Sequence, residues 1–157
     1  MNYFGHESPL GVKKVINRVC YIFNDPAFGY KMVAETIAAE TQMGTYPDDT
    51  LMTGMGIAQH DRACFEDTKK HSMKYRDMIL EKLGVDIRLV EYEHLRYNVF
   101  LSTLFCRLTY KRFSAPIPRT LEGRKRYWKQ NYNTNRGAGT VEHYIESARK
   151  WAKVIGE

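Results

Sequence analysis

At 157 residues, 43% of them apolar and 27% charged, the chain has the size and composition of one soluble globular domain with a real core. It holds no repeat, no low-complexity tract and no apolar run of about 18 residues, which excludes a solenoid and a membrane span. The net charge of +6 is uneven: from Arg107 onward twelve Lys/Arg face four Asp/Glu (+8), leaving twelve against fourteen (−2) in the first 106 residues.

The N-terminal stretch MNYFGHESPLG has neither a basic start nor an apolar core, so no secretory signal is expected. Val12, Val15, Ile16, Val19, Cys20 and Phe23 then recur at three- and four-residue steps, predicting an amphipathic helix that ends near NDPAFG. A second helix is predicted from Pro26 or Ala27 to Thr41, with Met32, Val33, Thr36 and Ile37 as its buried stripe. GTYPDDTLMTGMG, rich in Gly, Pro and Asp, reads as loop or at most a small irregular hairpin. Helices resume over RACFEDTKKH and SMKYRDMILEKLG, the latter stopped by Gly84. The clearest helix is LRYNVFLSTLFCRLTYKRF, where Tyr97, Phe100, Leu101, Leu104, Phe105 and Leu108 keep core-facing spacing. SAPIPRT breaks it. LEGRKRYWKQNYN and TVEHYIESARKWAKVI form the last two helices, the final one starting at Thr140. No period-two segment is long enough for a sheet, so the expected fold is all-α, one domain over residues 1–157. Cys20, Cys64 and Cys106 are odd in number and lack zinc or redox spacing, which predicts reduced thiols.

Glu40 closes the second helix, seven residues after Val33 and three after Ile37, so its carboxylate shares the face of the buried stripe. Desolvation there and the negative end of the helix dipole both raise a carboxyl pKa, the condition for a general acid at neutral pH. The plain alternative is a carboxylate that reaches solvent where the helix frays. Glu35, about 140° round the helix from Glu40, is expected to face solvent.

GMGIAQHD, Gly54 to Asp61, lacks the preceding strand and the Lys-Ser/Thr of a phosphate loop. His60 and Asp61 are adjacent and no second His or Cys stands at ligand spacing, so no metal site is expected, and no cofactor. Its two glycines do offer backbone that an extended ligand can approach. NYNTNRGAGTVEHYI adds Tyr132 and Asn133 ahead of a loop with Gly137 and Gly139.

Together these three stretches resemble the lysozyme-like lytic transglycosylases. In that family a catalytic Glu ending a helix is followed by Gly-Leu-Met-Gln and later by Ala-Tyr-Asn. Glu40 matches the acid. Gly56, Ile57, Ala58 and Gln59 match Gly-Leu-Met-Gln, with Ala58 for Met, and Tyr132 and Asn133 match the Tyr-Asn pair, with Asn131 for Ala. Thr50 falls where the family has a Ser, and Asn98 resembles an Asn that commonly opens the corresponding family helix. The resemblance spans about residues 30–146, and the chain looks most like small bacteriophage members.

The resemblance implies a lysozyme-like domain with a cleft between the Glu40 helix and the Tyr132 segment. It implies non-hydrolytic cleavage of the β-1,4 bond between N-acetylmuramic acid and N-acetylglucosamine, leaving 1,6-anhydro ends. Glu40 would be acid and base, with Tyr132 holding it by a hydrogen bond. Thr50, Gly56, Ile57, Ala58, Gln59, Asn98 and Asn133 would bind the glycan. The implied partners are peptidoglycan strands and, for a virion-borne enzyme, other phage virion proteins. Such a protein would be made in the host cytoplasm and act at the cell wall.

Two other classes stay open on sequence. A muramidase on the same fold would use a second carboxylate, Asp48, Asp49 or Asp61, roughly 6.5–9.5 Å from the first if it inverts. A basic nucleic-acid-binding module would stack bases on Tyr127, Trp128 and Tyr132. Against the latter, Trp128 and Tyr132 are four apart, a spacing more typical of core.

Overall fold

The computed structural model describes residues 3–5, 8–46, 54–133 and 139–156. Regular structure among them is helical throughout, apart from one antiparallel bridge between Met55 and His60. No helix among them is long and apolar enough to cross a membrane.

Helix α1 (Pro9–Tyr21) starts where Ser8 accepts a hydrogen bond from the Gly11 N–H at 3.1 Å and Pro9 supplies a preset first turn. Of the predicted stripe it buries Val12, Ile16, Val19 and Cys20, while Val15 is half-buried and Phe23 is buried just past the helix end. Helix α2 (Pro26–Thr41) packs against α1 and the later helices α5 and α7. It differs from the expected one-sided stripe. From Met32 to Gly44 every residue is buried except Glu40, because neighbours cover this helix on all sides.

Helix α3 (Arg62–His71) is capped by the Asp61 carboxylate, which accepts from the Cys64 N–H at 2.7 Å. Helix α4 (Arg76–Leu83) stops at Gly84, whose φ of 70° is the left-handed conformation glycine adopts freely. Helix α5 (Val99–Tyr110) begins later than the periodicity suggests. Asn98 caps it, accepting from the Leu101 N–H at 2.9 Å, while Tyr92–Leu95 forms a separate 3-10 turn. Tyr97 therefore falls outside the helix and is 67% exposed, not core. The rest of α5 is the central post of the molecule, buried from Ser102 through Tyr110.

Helix α6 (Leu121–Trp128) runs into a π-helical turn, Lys129–Asn133. Helix α7 (Val141–Lys150) starts at Thr140 as the sequence predicts, and Trp151 separates it from the short α8 (Ala152–Ile155). One apolar cluster joins α1, α2 and the C-terminal helices through Trp128, Tyr144 and Met32. A second joins α1, α3, α4 and α5 through Phe65, Phe105 and Leu104.

Leu104 lies fully buried in that second cluster. Leu104→Ala is expected to cost about 2–5 kcal/mol, the range for emptying a buried leucine site. Urea unfolding checks it, and a loss under about half a kilocalorie would show that α5 is not the post.

Candidate active site

Glu40 sits at an unusual place for a carboxylate, the one partly open position in an otherwise buried run. The chain just past it is held rigidly. Gln42, Met43 and Gly44 all have positive φ (51°, 58° and 85°), so the backbone reverses abruptly after α2. Two of these are not glycine, and left-handed backbone at such residues persists only where the surroundings enforce it. They do. The Gln42 amide donates to Ser147 Oγ at 2.9 Å and accepts from the Trp151 indole at 2.9 Å. Thr41 Oγ1 donates to the Ile57 carbonyl at 2.7 Å, and His143 Nε2 lies 2.7 Å from the Ala39 carbonyl oxygen.

Burial pushes the Glu40 carboxyl up to about 8; the Trp128 indole N–H and the Lys129 ammonium pull the other way but do not prevail. At neutral pH the group is mostly protonated. The thiol of Cys106 and the hydroxyls of Tyr110 and Tyr132 feel its charge, and burial holds all three well above their usual pKa, hence neutral.

GMGIAQHD forms a tight turn. Met55 and His60 exchange backbone hydrogen bonds of 2.8 and 3.1 Å, and Gly56 and Gln59 take the left-handed backbone the reversal needs. The close approach predicted for a ligand is used by the protein's own chain. A Cβ on Gly56 would lie 2.5 Å from the Leu95 carbonyl oxygen, and one on Gly54 would lie 2.6 Å from Gln59 Oε1. Ile57 and Ala58 are fully buried, and the Ala58 N–H donates to Ser102 Oγ at 3.1 Å. Their side chains thus serve the core. Gln59 is half-buried with its amide on the Gly56 carbonyl, 3.0 Å away.

Tyr132 comes next to this turn, stacked on Tyr110 with centroids 5.2 Å apart. Its hydroxyl donates to the Ala58 carbonyl at 2.7 Å and lies 3.3 Å from His60 Nε2. The expected grip of Tyr132 on Glu40 is therefore corrected: the phenol's proton is committed to the turn. His60, buried, is pushed down to about 4 by desolvation and is neutral. Asn133 faces Lys129, whose ammonium donates to Asn133 Oδ1 and to the Gly139 carbonyl, both at 2.7 Å. Asn98 is exposed and caps α5. Thr50, Asp48 and Asp49 lie outside the described residues. A cavity of about 300 Å³ lies at the opposite end of α2, lined by Tyr21, Pro26, Tyr30 and Lys31, and has no part in this site.

Glu35 overturns the expectation of solvent exposure. It is 6% exposed and bound bidentately by Arg124, Nε to Oε1 at 2.7 Å and Nη2 to Oε2 at 3.0 Å, while Tyr144 donates to Oε1 at 2.7 Å. Trp128 and Lys129 at Glu40 were likewise unforeseen, since nothing in their spacing singles them out from core and surface. Tyr127 and Trp128 are buried, so neither offers a face for stacking nucleic-acid bases. Among the described residues no His/Cys/Asp/Glu group could hold a metal ion.

No family model, curated protein or solved structure matches the chain.

Two outcomes follow from the acids on α2. Arg124→Met should destabilise by about 3–5 kcal/mol by stranding Glu35, and adding Glu35→Leu should recover most of that loss. Denaturant melts of the single and double variants check it. For Glu40 the sign is the reverse of an ordinary paired carboxylate. Its folded pKa is raised, so the native state binds the extra proton and stability falls as pH rises from about 4.5 to about 8. Glu40→Gln should match the wild-type melting temperature near the acid end of that window and exceed it increasingly toward the alkaline end. A constant difference across the window would contradict the buried, neutral acid.

Proposed function

We propose that this protein is a peptidoglycan lytic transglycosylase with Glu40 as its single acid and base. The observation that supports it best is the position of Glu40: the one side chain left partly open between Met32 and Gly44 is a carboxyl that keeps its proton near neutral pH. A core-facing carboxyl without an ion-pair partner is costly to fold around, and enzymes are where such groups recur. The motif resemblance from Glu40 to Asn133 points the same way.

In this reading protonated Glu40 donates to the glycosidic oxygen as the sugar develops oxocarbenium character. The substrate's own acetamido group assists at the anomeric carbon. Glu40, now a carboxylate, takes the proton of the muramoyl 6-hydroxyl, whose oxygen closes the 1,6-anhydro ring. The carboxyl ends protonated, as it began, and no water is consumed. The other described acids around the site are committed elsewhere, Glu35 to Arg124 and Asp61 to the α3 cap, which favours a route needing one carboxyl only. The net +8 from Arg107 onward suits approach to an anionic wall.

Glu40→Gln should keep the fold and lose turnover by about 10²–10⁴-fold or more, because the amide cannot donate and reclaim the proton. Asp61→Asn, which can still cap α3, should remain active. Clearing of purified walls measures both, and mass spectrometry of the digest identifies the ends. Near-normal clearing by Glu40→Gln ends the proposal. Reducing ends in place of anhydro ends would replace it with a muramidase.

A further inference from the structure

Trp128 is fully buried, yet its indole Nε1 has no hydrogen-bond partner. An unpaired buried N–H is rare enough to need a reason. Trp151 has none of this difficulty, since its Nε1 donates to Gln42 Oε1 at 2.9 Å. Nor can the Trp128 ring turn away to find an acceptor. The Tyr144 ring packs on it with centroids 5.1 Å apart, and a Cβ on Gly139 would lie 2.7 Å from its Cη2. Tyr144 is itself fixed on Glu35, and Arg124, one turn before Trp128 on α6, is bound to the same carboxylate.

The carboxyl on which this indole bears is Glu40: the indole opposes the effect of burial there, yet its Nε1 forms no hydrogen bond. We propose that Trp128 is a positioning residue for Glu40, its indole N–H held ready to receive the carboxylate when Glu40 is ionised. A neutral carboxyl is a weak acceptor, and a carboxylate binds such a donor about twice as strongly. The remaining groups facing Glu40 leave this task to few candidates. Lys129 supplies positive charge from the same segment. Cys106 and Tyr110 on α5 and Tyr132 in the π turn are neutral. His143 on α7 faces the Ala39 carbonyl. In the proposed reaction the carboxylate exists only between the two proton transfers, so the donor would act on the base form. That link to catalysis rests on the proposed function; the pairing of indole and carboxylate does not.

The chain has two tryptophans, so ¹⁵N-labelled protein gives two indole signals. On raising the pH, the Trp128 indole proton is expected to move downfield with a midpoint near 8, together with the ¹³C carboxyl signal of Glu40. The Trp151 signal, already bonded, should stay. Glu40→Gln should abolish the shift. Trp128→Phe should raise the Glu40 midpoint further and carry the alkaline limb of kcat with it. A packing role alone predicts the opposite sign, because a loosened site admits water and returns the carboxyl toward its ordinary range. Either that downward shift, or a Trp128 signal that stays flat while Glu40 titrates, overturns the proposal. An indole that titrates in a protein that leaves walls intact would sustain this inference and remove the transglycosylase reading.

Discussion

The buried ion pair between Glu35 and Arg124 is the constraint on which the C-terminal half of the molecule is arranged. A carboxylate carried into the interior on α2 demands a cation and a full set of hydrogen bonds. Arg124 meets it with two parallel N–H contacts and Tyr144 with a third. Because these partners come from α6 and α7, satisfying one side chain ties two further helices to α2, α7 by direct packing and α6 through this pair and its packing on α7. Arg124 also donates to the Pro118 carbonyl at 3.3 Å, which ties in the proline-rich entry to α6. Such a pair constrains the arrangement of the helices as well as their energy. Slipping α6 by one turn would strand both charges.

From that arrangement the two acids of α2 acquire different characters. Glu35 and Glu40 are five residues apart on one helix, and the same helix carries both into the interior. Glu35 meets a guanidinium in a fork geometry. Glu40 meets an indole N–H short of a full bond and an ammonium already shared between Asn133 and the Gly139 carbonyl. Desolvation therefore prevails at Glu40, and the helix end adds to it. Two identical groups with environments that push them apart are a common basis for acid–base chemistry.

The all-helical architecture was readable in the sequence because burial at three- and four-residue steps is a local signal, strong in α1 and α7. It weakened where helices are covered on every side. In α2 and α5 small and polar residues such as Ala34, Ser102 and Thr109 are buried alongside the large ones, so the apolar pattern understates the burial. The same blindness hid Glu35. Helical geometry placed it away from Glu40, which is correct, but only the tertiary partner at Arg124, 89 positions later, says that this side is interior too. Tyr97 erred in the other direction: its spacing fits α5, yet Asn98 begins the helix after it. At the site, Glu40 and Tyr132 stand in one neighbourhood, but their hydrogen bonds could not be inferred from order along the chain. Tyr132 serves the turn at Ala58, and the donor beside Glu40 is a tryptophan whose spacing reads as core.

The turn at Gly54–Asp61 shows why glycines that suggest a ligand can instead make a ruler. Its backbone is used from three directions: Thr41 at the end of α2 donates to the Ile57 carbonyl, Ser102 on α5 accepts from the Ala58 N–H, and Tyr132 donates to the Ala58 carbonyl. Each contact belongs to a different element, and all reach two adjacent peptide groups. Gly56 allows this because any Cβ there would collide with the Leu95 carbonyl and Ser102. The turn therefore sets the separation between the end of α2 and the π turn that carries Tyr132. Since Lys129 opens that same π turn and Trp128 precedes it, the turn and the Glu35–Arg124 pair locate the segment from opposite ends. A carboxyl whose proton affinity depends on a nearby indole and ammonium needs both ends fixed, because the pull of a dipole or a charge falls steeply with distance. The glycines of this turn thus act on Glu40 through the placement of its neighbours, without touching it.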